Sequence, residues 1–379
     1  MKKLLLICIL FGTSVYSLEF GYMGNKAFGM GGSGVALTSN PFSAYYNPAL
    51  IGTNSTIGIG YSLGLRYKEH NIGILSDPNI ETAKSFLGDN SLNMTSENGI
   101  AIQLPITLVD TFSSAIGIGV FYTKIGVINF IVNGNNGGGG GGGGGGNNSL
   151  SAKMLTNGLD LLEIPLSYSL SLSSMIGNFS VGVNAKYINA KHSLASQDFS
   201  GNNTIQDSFN QVFKSKNGIS TNAFGVDVGL SYSLPFDTFV IGVVGKNLNT
   251  PNINTMANEK LALDPQYRLG ISTSAIPLTT IALDLDLKPN TEFRGLDNKM
   301  AKKQVQYISL GGDVNLTFMD IKLGVAKNIV NGAEGWLIYA GLGFKIIDIS
   351  LFSNTNITRG SGSKIPTEFG VKIGGGFSF

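Results

Sequence analysis

Thr56-Ile57-Gly58-Ile59-Gly60-Tyr61-Ser62-Leu63-Gly64-Leu65-Arg66 alternates strictly between apolar side chains at odd positions and threonine, glycine, serine or arginine at even ones. Successive side chains of a strand point to opposite faces, so this stretch is a strand with one apolar and one small or charged face. The same period recurs through the chain. Leu162, Ile164, Leu166, Tyr168, Leu170 and Leu172 alternate with Glu163, Pro165 and serines. Phe224, Val226, Val228, Leu230 and Tyr232 alternate with glycines, Asp227 and Ser231, and Ile281, Leu283, Leu285 and Leu287 alternate with Ala282, Asp284, Asp286 and Lys288. Lipid on one side of a sheet and a polar lumen on the other would select this pattern.

Fourteen strands are predicted, near 56–66, 99–108, 114–125, 162–172, 179–190, 223–234, 238–247, 266–275, 278–287, 304–316, 319–327, 334–345, 347–357 and 367–379. Long connections (67–98, 126–161, 191–222, 248–265 and 288–303) alternate with short ones such as Leu234-Pro235-Phe236-Asp237 and Ile276-Pro277. Bacterial outer-membrane barrels have even strand numbers, long outer loops and short periplasmic turns. The expected fold class is therefore all-β, a 14-stranded antiparallel transmembrane β-barrel spanning 55–379.

Composition agrees. Of 379 residues 42% are hydrophobic and only 13% charged, and 52 are glycine. An ordinary soluble domain carries about twice that charged fraction. The first 17 residues hold Lys2 and Lys3 and no acid, which leaves 24 basic and 24 acidic residues in the remainder. That neutral balance offers no attraction for nucleic acid. Met1-Lys2-Lys3, the apolar run Leu4 to Phe11 and the small-residue site Val15-Tyr16-Ser17 read as a cleaved signal peptide over 1–17. The one cysteine, Cys8, falls within it, so disulfide and thiol chemistry are not expected afterwards. No later stretch offers the roughly 18 apolar residues of a spanning helix.

The chain ends Phe377-Ser378-Phe379 on the apolar face of the last strand, resembling the terminal aromatic that barrel assembly machinery reads in bacterial outer-membrane proteins. Ten consecutive glycines, Gly137 to Gly146, make 135–148 a flexible outer-loop insertion. Gly29-Met30-Gly31-Gly32-Ser33-Gly34 matches a dinucleotide fingerprint in letters, but it lacks the strand before and the helix after that such a site needs. His70 and His192 fall in expected outer loops without a patterned nucleophile or acid beside them, and are expected to be solvated. Neither catalysis nor a metal or other cofactor is expected.

Gly29 to Gly34, followed by Asn40-Pro41-Phe42-Ser43-Ala44-Tyr45-Tyr46-Asn47-Pro48-Ala49-Leu50, resembles the N-terminal hatch of the FadL-type outer-membrane transporters of long-chain fatty acids and aromatic hydrocarbons. Val244-Gly245-Lys246-Asn247-Leu248-Asn249-Thr250-Pro251, Asp264-Pro265-Gln266-Tyr267-Arg268-Leu269-Gly270, Asp284-Leu285-Asp286-Leu287 and Gln306-Tyr307 with Gly311-Gly312 are similar to the branch labelled conjugal-transfer TraF-like. The resemblance implies a hatch over 18–54 in the lumen, with Gly29, Gly31, Gly32, Gly34, Asn47, Pro48 and Ala49 as its gating residues. It also implies integral placement in the bacterial outer membrane, in contact with its lipid.

Register places Arg66, Glu163, Lys186, Asp227, Asp284, Asp286, Lys322, Lys345 and Lys372 in the lumen, either as compensating ion pairs or as contacts for a substrate. Pro105 and Pro165 interrupt the second and fourth strands, where proline removes a ladder donor. In FadL-type barrels a kink near there opens the wall sideways, so a lateral opening around strands two to four is expected. Two functions follow from the resemblance: passive uptake of a hydrophobic small molecule through a hatch-gated lumen, or a structural barrel that docks a protein partner of secretion or conjugation machinery.

Overall fold

The structure, a computed structural model, describes residues 18–38, 40–53, 56–70, 91–109, 111–133, 151–198, 217–295, 303–316, 318–344, 346–357 and 365–378. The expected signal peptide, the glycine tract, Lys345 and Phe379 lie outside the described residues.

Fourteen antiparallel strands close into a barrel. In chain order they are β1 (Gly58–His70), β2 (Ser91–Val109), β3 (Phe112–Asn133), β4 (Ser151–Ser174), β5 (Gly177–Asp198), β6 (Ile219–Ser233) and β7 (Phe239–Lys246). Then follow β8 (Gln266–Ile276), β9 (Thr279–Asp286), β10 (Tyr307–Leu316), β11 (Met319–Asn328), β12 (Trp336–Phe344), β13 (Ile347–Asn354) and β14 (Glu368–Ser378). β14 closes the ring on β1, with Gly58 opposite Ser378 and Lys68 opposite Glu368. Each strand overlaps one expected from the alternation. Met175-Ile176 and Pro277-Leu278 turn the chain at the end where β1 begins and β14 finishes, and the long connections leave from the other end.

The faces divide as the period requires. Leu63, Leu65, Ile100, Ile118, Leu166, Leu323 and Ile349 are exposed on the outside, while Ser62, Gln103, Ser169, Asn184 and Lys322 are buried within. A single-residue slip would exchange these sets, so the two environments fix the register.

Strand length is uneven. β2 to β5 run to 19, 22, 24 and 22 residues, whereas β7 and β9 have eight each. About 9–11 tilted residues suffice to cross a bilayer. One side of the barrel therefore rises above the other as a tall wall. Against that wall lies a ribbon, Asn252–Asn254 paired with Lys260–Ala262, whose Ile253 and Leu261 share an apolar cluster with Val127, Leu159 and Ile188. A second ribbon pairs Asn290–Thr291 with Gln304–Val305.

This corrects the reading of the connections. Residues 126–133, 151–161 and 191–198 are strand, not loop. His192 lies on β5 and is fully buried, its Nδ1 accepting the Met256 N–H at 3.1 Å, where a solvated loop histidine was expected.

Candidate functional site

The lumen is filled from below by the chain's own N-terminal segment. Residues 18–53 form two short helices, Asn25–Gly29 and Ser43–Tyr46, and a 3-10 turn, Pro48–Thr53, that pack inside the barrel. Phe20, Met23, Met30, Val35, Leu37, Phe42 and Tyr46 make an apolar cluster with Ala101, Phe121, Val244 and Ala282 of the wall.

Contact is close because both surfaces are backbone. Gly31 and Gly32 adopt φ +75° and +88°, conformations that side chains other than glycine rarely take. Opposite them the wall presents Gly311 and Gly324, where an added Cβ would lie 2.2 Å from Met30 O and from Gly31 N respectively. Gly29 abuts Lys322 and Gly34 abuts Tyr46. Asn47 is fully buried and ties the segment down: its Nδ2 donates to Val35 O at 3.0 Å and to Leu230 O of β6 at 3.1 Å, and its Oδ1 accepts from the Ala49 N–H. Pro48 and Ala49 press on Gly182 of β5.

The lumen charges meet as pairs. Arg66 joins Glu19 of the N-terminal segment to Glu368 of β14. Lys186 lies 3.0 Å from both Glu163 and Asp227, Arg268 holds Asp286 at 2.6 Å, and Lys322 reaches Asp348 and Asp320. Lys372 pairs with Glu97, which also accepts the Tyr22 N–H. Asp284 accepts from the Gly34 and Val35 N–H groups, fixing the glycine run against β9. Buried charges need such partners to offset the loss of water. Burial also pushes the Tyr22 phenol up to about 12 and those of Tyr45 and Tyr46 well above their ordinary value, so all three rings stay neutral.

From the outer side the segment before β10 folds back into the lumen. Asn93 and Asn129 of the tall wall donate to the carbonyls of Phe293 and Arg294. Glu292 is buried among Lys68, Arg294 and Lys303. Between this segment and the N-terminal one lies a pocket of about 60 Å³, with Leu18, Tyr45, Lys246 and Phe293 on its walls and Thr123 and Glu163 beside the barrel staves.

The staves carry a gap at that level. β3 and β4 pair from Ile118↔Leu166 downward and from Phe121↔Glu163 upward, but no ladder pair joins Gly119 and Val120 to Ile164 and Pro165. Phe121, 2% exposed, lays its ring over Gly119 of its own strand and Gly99 of β2, on the lumen side, and stands edge-on to Tyr45, centroids 5.0 Å apart. At Pro105 the arrangement differs: β2 pairs with Ala115 of β3, but its pairing with β1 ends at Gln103↔Gly58. Phe121 and Glu292 were not singled out from the sequence, and Lys246 only as part of the Val244 to Pro251 segment. Phe121 has one local signal, a phenylalanine on the lumen face of a strand whose preceding inward residues, Ala115, Gly117 and Gly119, are small.

A family model described as F plasmid transfer operon, TraF, protein matches residues 78–286. The chain belongs to that family. No curated relative matches it by sequence. Among solved structures it resembles the Ralstonia pickettii toluene transporter TbuX, with 13% identity over 95% of this chain and 99% of that one and a TM-score of 0.53. It likewise resembles the P. putida toluene transporter TodX, with 12% identity, the same coverage and a TM-score of 0.54. At such identity the likeness concerns the fold: the TraF-family chain is a FadL-type fourteen-stranded barrel. Among the described residues no group of three or more His, Cys, Asp or Glu side chains could hold a metal ion.

Proposed function

We propose that this barrel sits in the bacterial outer membrane, exported by a cleaved leader over residues 1–17, and passively admits small hydrophobic molecules. They bind between the inward-folded outer segment and the N-terminal hatch, and leave sideways through the wall. The observation that carries this reading is the position of the pocket: Thr123 and Glu163 line it, and Phe121↔Glu163 is the upper rim of the unpaired stretch opposite Pro165. A route from pocket to bilayer opens if β3 and β4 part along this unpaired stretch, next to Phe121, whose ring packs on Tyr45 and Phe42 of the hatch. Proline, which has no N–H to donate, keeps the ladder from closing there. The toluene-transporter fold supports the same reading. Hatch displacement, pivoting at Gly29 to Gly34 and Asn47-Pro48-Ala49, enlarges a pocket that is otherwise smaller than the roughly 150 Å³ that holds a benzene ring.

The test is alkylbenzene uptake by cells or vesicles containing the barrel, with mass spectrometry of small molecules retained on gentle purification. Flux above that of empty vesicles, abolished when Pro165→Thr restores a donor, is the expected result. No flux, and no bound molecule where a known transporter keeps its own, would turn the reading to the alternative, a structural barrel docking a protein partner. The ion-paired lumen and the tall wall of β2 to β5 favour that second reading.

A further inference from the structure

Three of the short turns end in large apolar side chains left exposed. Met175 is fully exposed, and Ile176, Leu278 and Phe318 are 74%, 65% and 64% exposed, in the β4–β5, β8–β9 and β10–β11 turns. Tight turns in water favour Gly, Asn, Asp and Ser. Leu278 departs furthest from that chemistry. Its backbone is left-handed, φ +61°, a conformation that bulky side chains rarely take and that glycine or asparagine takes with less strain. An exposed leucine held in that conformation gains nothing from water.

The carbonyls of these turns are served from within the chain. Tyr232 Oη donates to Ile176 O at 2.8 Å and Ser174 Oγ to Gly177 O at 2.8 Å. Thr279 Oγ1 donates to Pro277 O at 3.3 Å, and the Asn315 N–H to Leu278 O at 2.7 Å. Water would satisfy such groups unaided, whereas among acyl chains each must find a partner in the protein. Tyrosine suits a membrane interface because its ring can lie in the apolar layer with its hydroxyl in the wet one. Here Tyr61, like Tyr232, turns its hydroxyl to a turn carbonyl instead, Ile346 O at 3.0 Å.

Strand length leads to the same place. β9 has eight residues, where about 9–11 cross a bilayer. Lys288 ends its apolar run above Leu287, so the run reaches a full span only by continuing down to Leu278. The exposed outward face of the strands, with Leu172, Ile276 and Ile321, leads on into these turns. The β4–β5 and β10–β11 turns stand on nearly opposite sides of the ring. A leaflet surrounding the barrel meets both, and a protein docked against one side does not. Asp237, the one charged residue described in the short turns, sets the β6–β7 turn apart from them.

We infer that the β4–β5, β8–β9 and β10–β11 turns are seated among the acyl chains of the periplasmic leaflet. They form a lipid-binding surface and offer no hold to a periplasmic protein. This rests on the placement in the outer membrane and not on uptake.

The experiment places single tryptophans by Leu278→Trp, Phe318→Trp and, as a reference in the middle of the lipid face, Leu323→Trp. Each is made with Trp336→Phe, which removes the chain's one native tryptophan. Folded protein, recognised by heat-modifiable migration on gels, is reconstituted into phosphatidylcholine vesicles with or without lipid brominated along its acyl chains. Both turn sites should lose fluorescence to the brominated lipid as the reference does, and little to acrylamide in the water. Quenching by acrylamide and not by bromine at either turn site, with the reference quenched by bromine, would overturn the inference and leave the membrane placement standing. A reference that bromine does not quench would remove the membrane placement and the inference with it. Leu278→Asn gives a test of sign without a probe. It relieves the left-handed strain, so in water it would raise the urea midpoint of unfolding. Among acyl chains it buries an amide, and the midpoint should fall; a rise would also overturn the inference.

Discussion

Asn47 shows how much one side chain holds in this lumen. It satisfies two carbonyls, Val35 O and Leu230 O, and accepts from the Ala49 N–H, while itself fully buried. Asn47→Ala leaves those groups unpaired at about 1–3 kcal/mol each. It should release the N-terminal segment to added protease while the barrel itself persists, as read by mass spectrometry of the fragments. Gly324→Ala reaches the same segment from the wall: its Cβ would sit 2.2 Å from Gly31 N, backbone that cannot turn aside. The expected result is a lower unfolding temperature and faster cleavage of the segment. Tightness at Gly31 and Asn47 was legible as a glycine run and an Asn-Pro-Ala box. The meeting of Lys186 with both Glu163 and Asp227 was not, because it depends on what other strands bring to one place in the lumen.

At the scale of strands, alternation located all fourteen but misjudged their lengths. β4 was expected over 162–172 and runs from Ser151 to Ser174. Below Leu162 the outer face has lipid to satisfy and the period is strict. Above it, Met154, Leu159 and Leu161 are buried beside Thr156 and Asn157, and the period lapses. The interruption of β3 and β4 was foreshadowed by Pro165, whereas the ring packed next to it on the lumen side, Phe121, was not. Removing that ring leaves a void on the lumen side of the wall next to the unpaired stretch. Phe121→Ala should raise alkylbenzene leakage through vesicles several-fold while costing about 3–5 kcal/mol of stability, measured by denaturant unfolding. Pro165→Thr should act in the opposite direction on leakage.

Across the whole molecule, charge links the two closures of the lumen. Glu19, Arg66, Glu368, Lys68, Glu292, Lys303 and Glu334 follow one another as alternating partners from the N-terminal segment through β1 and β14 to the inward-folded outer segment. Taking away one member of a buried pair strands the other, at about 3–5 kcal/mol. Arg66→Met should therefore loosen both ends. Beyond Cys8 the chain has no cysteine, so single cysteines placed at Leu18 and at Thr291 can report on each end by maleimide labelling. Acceleration at both sites is expected; acceleration at Leu18 alone would mean that the closures are independent. Because the middle of that chain, Arg66, Glu368, Lys68 and Glu292, is buried, added salt should leave the labelling rates nearly unchanged.

The tall wall has a consequence of its own. β2 to β5 exceed the span of a bilayer by about ten residues, roughly 30 Å of strand, while β7 and β9, with eight residues each, fall just short of it. A cylinder of even height meets its neighbours alike from every direction. This one has a front and a back in the plane of the membrane, so rotation about the membrane normal changes what it presents to the molecules beside it.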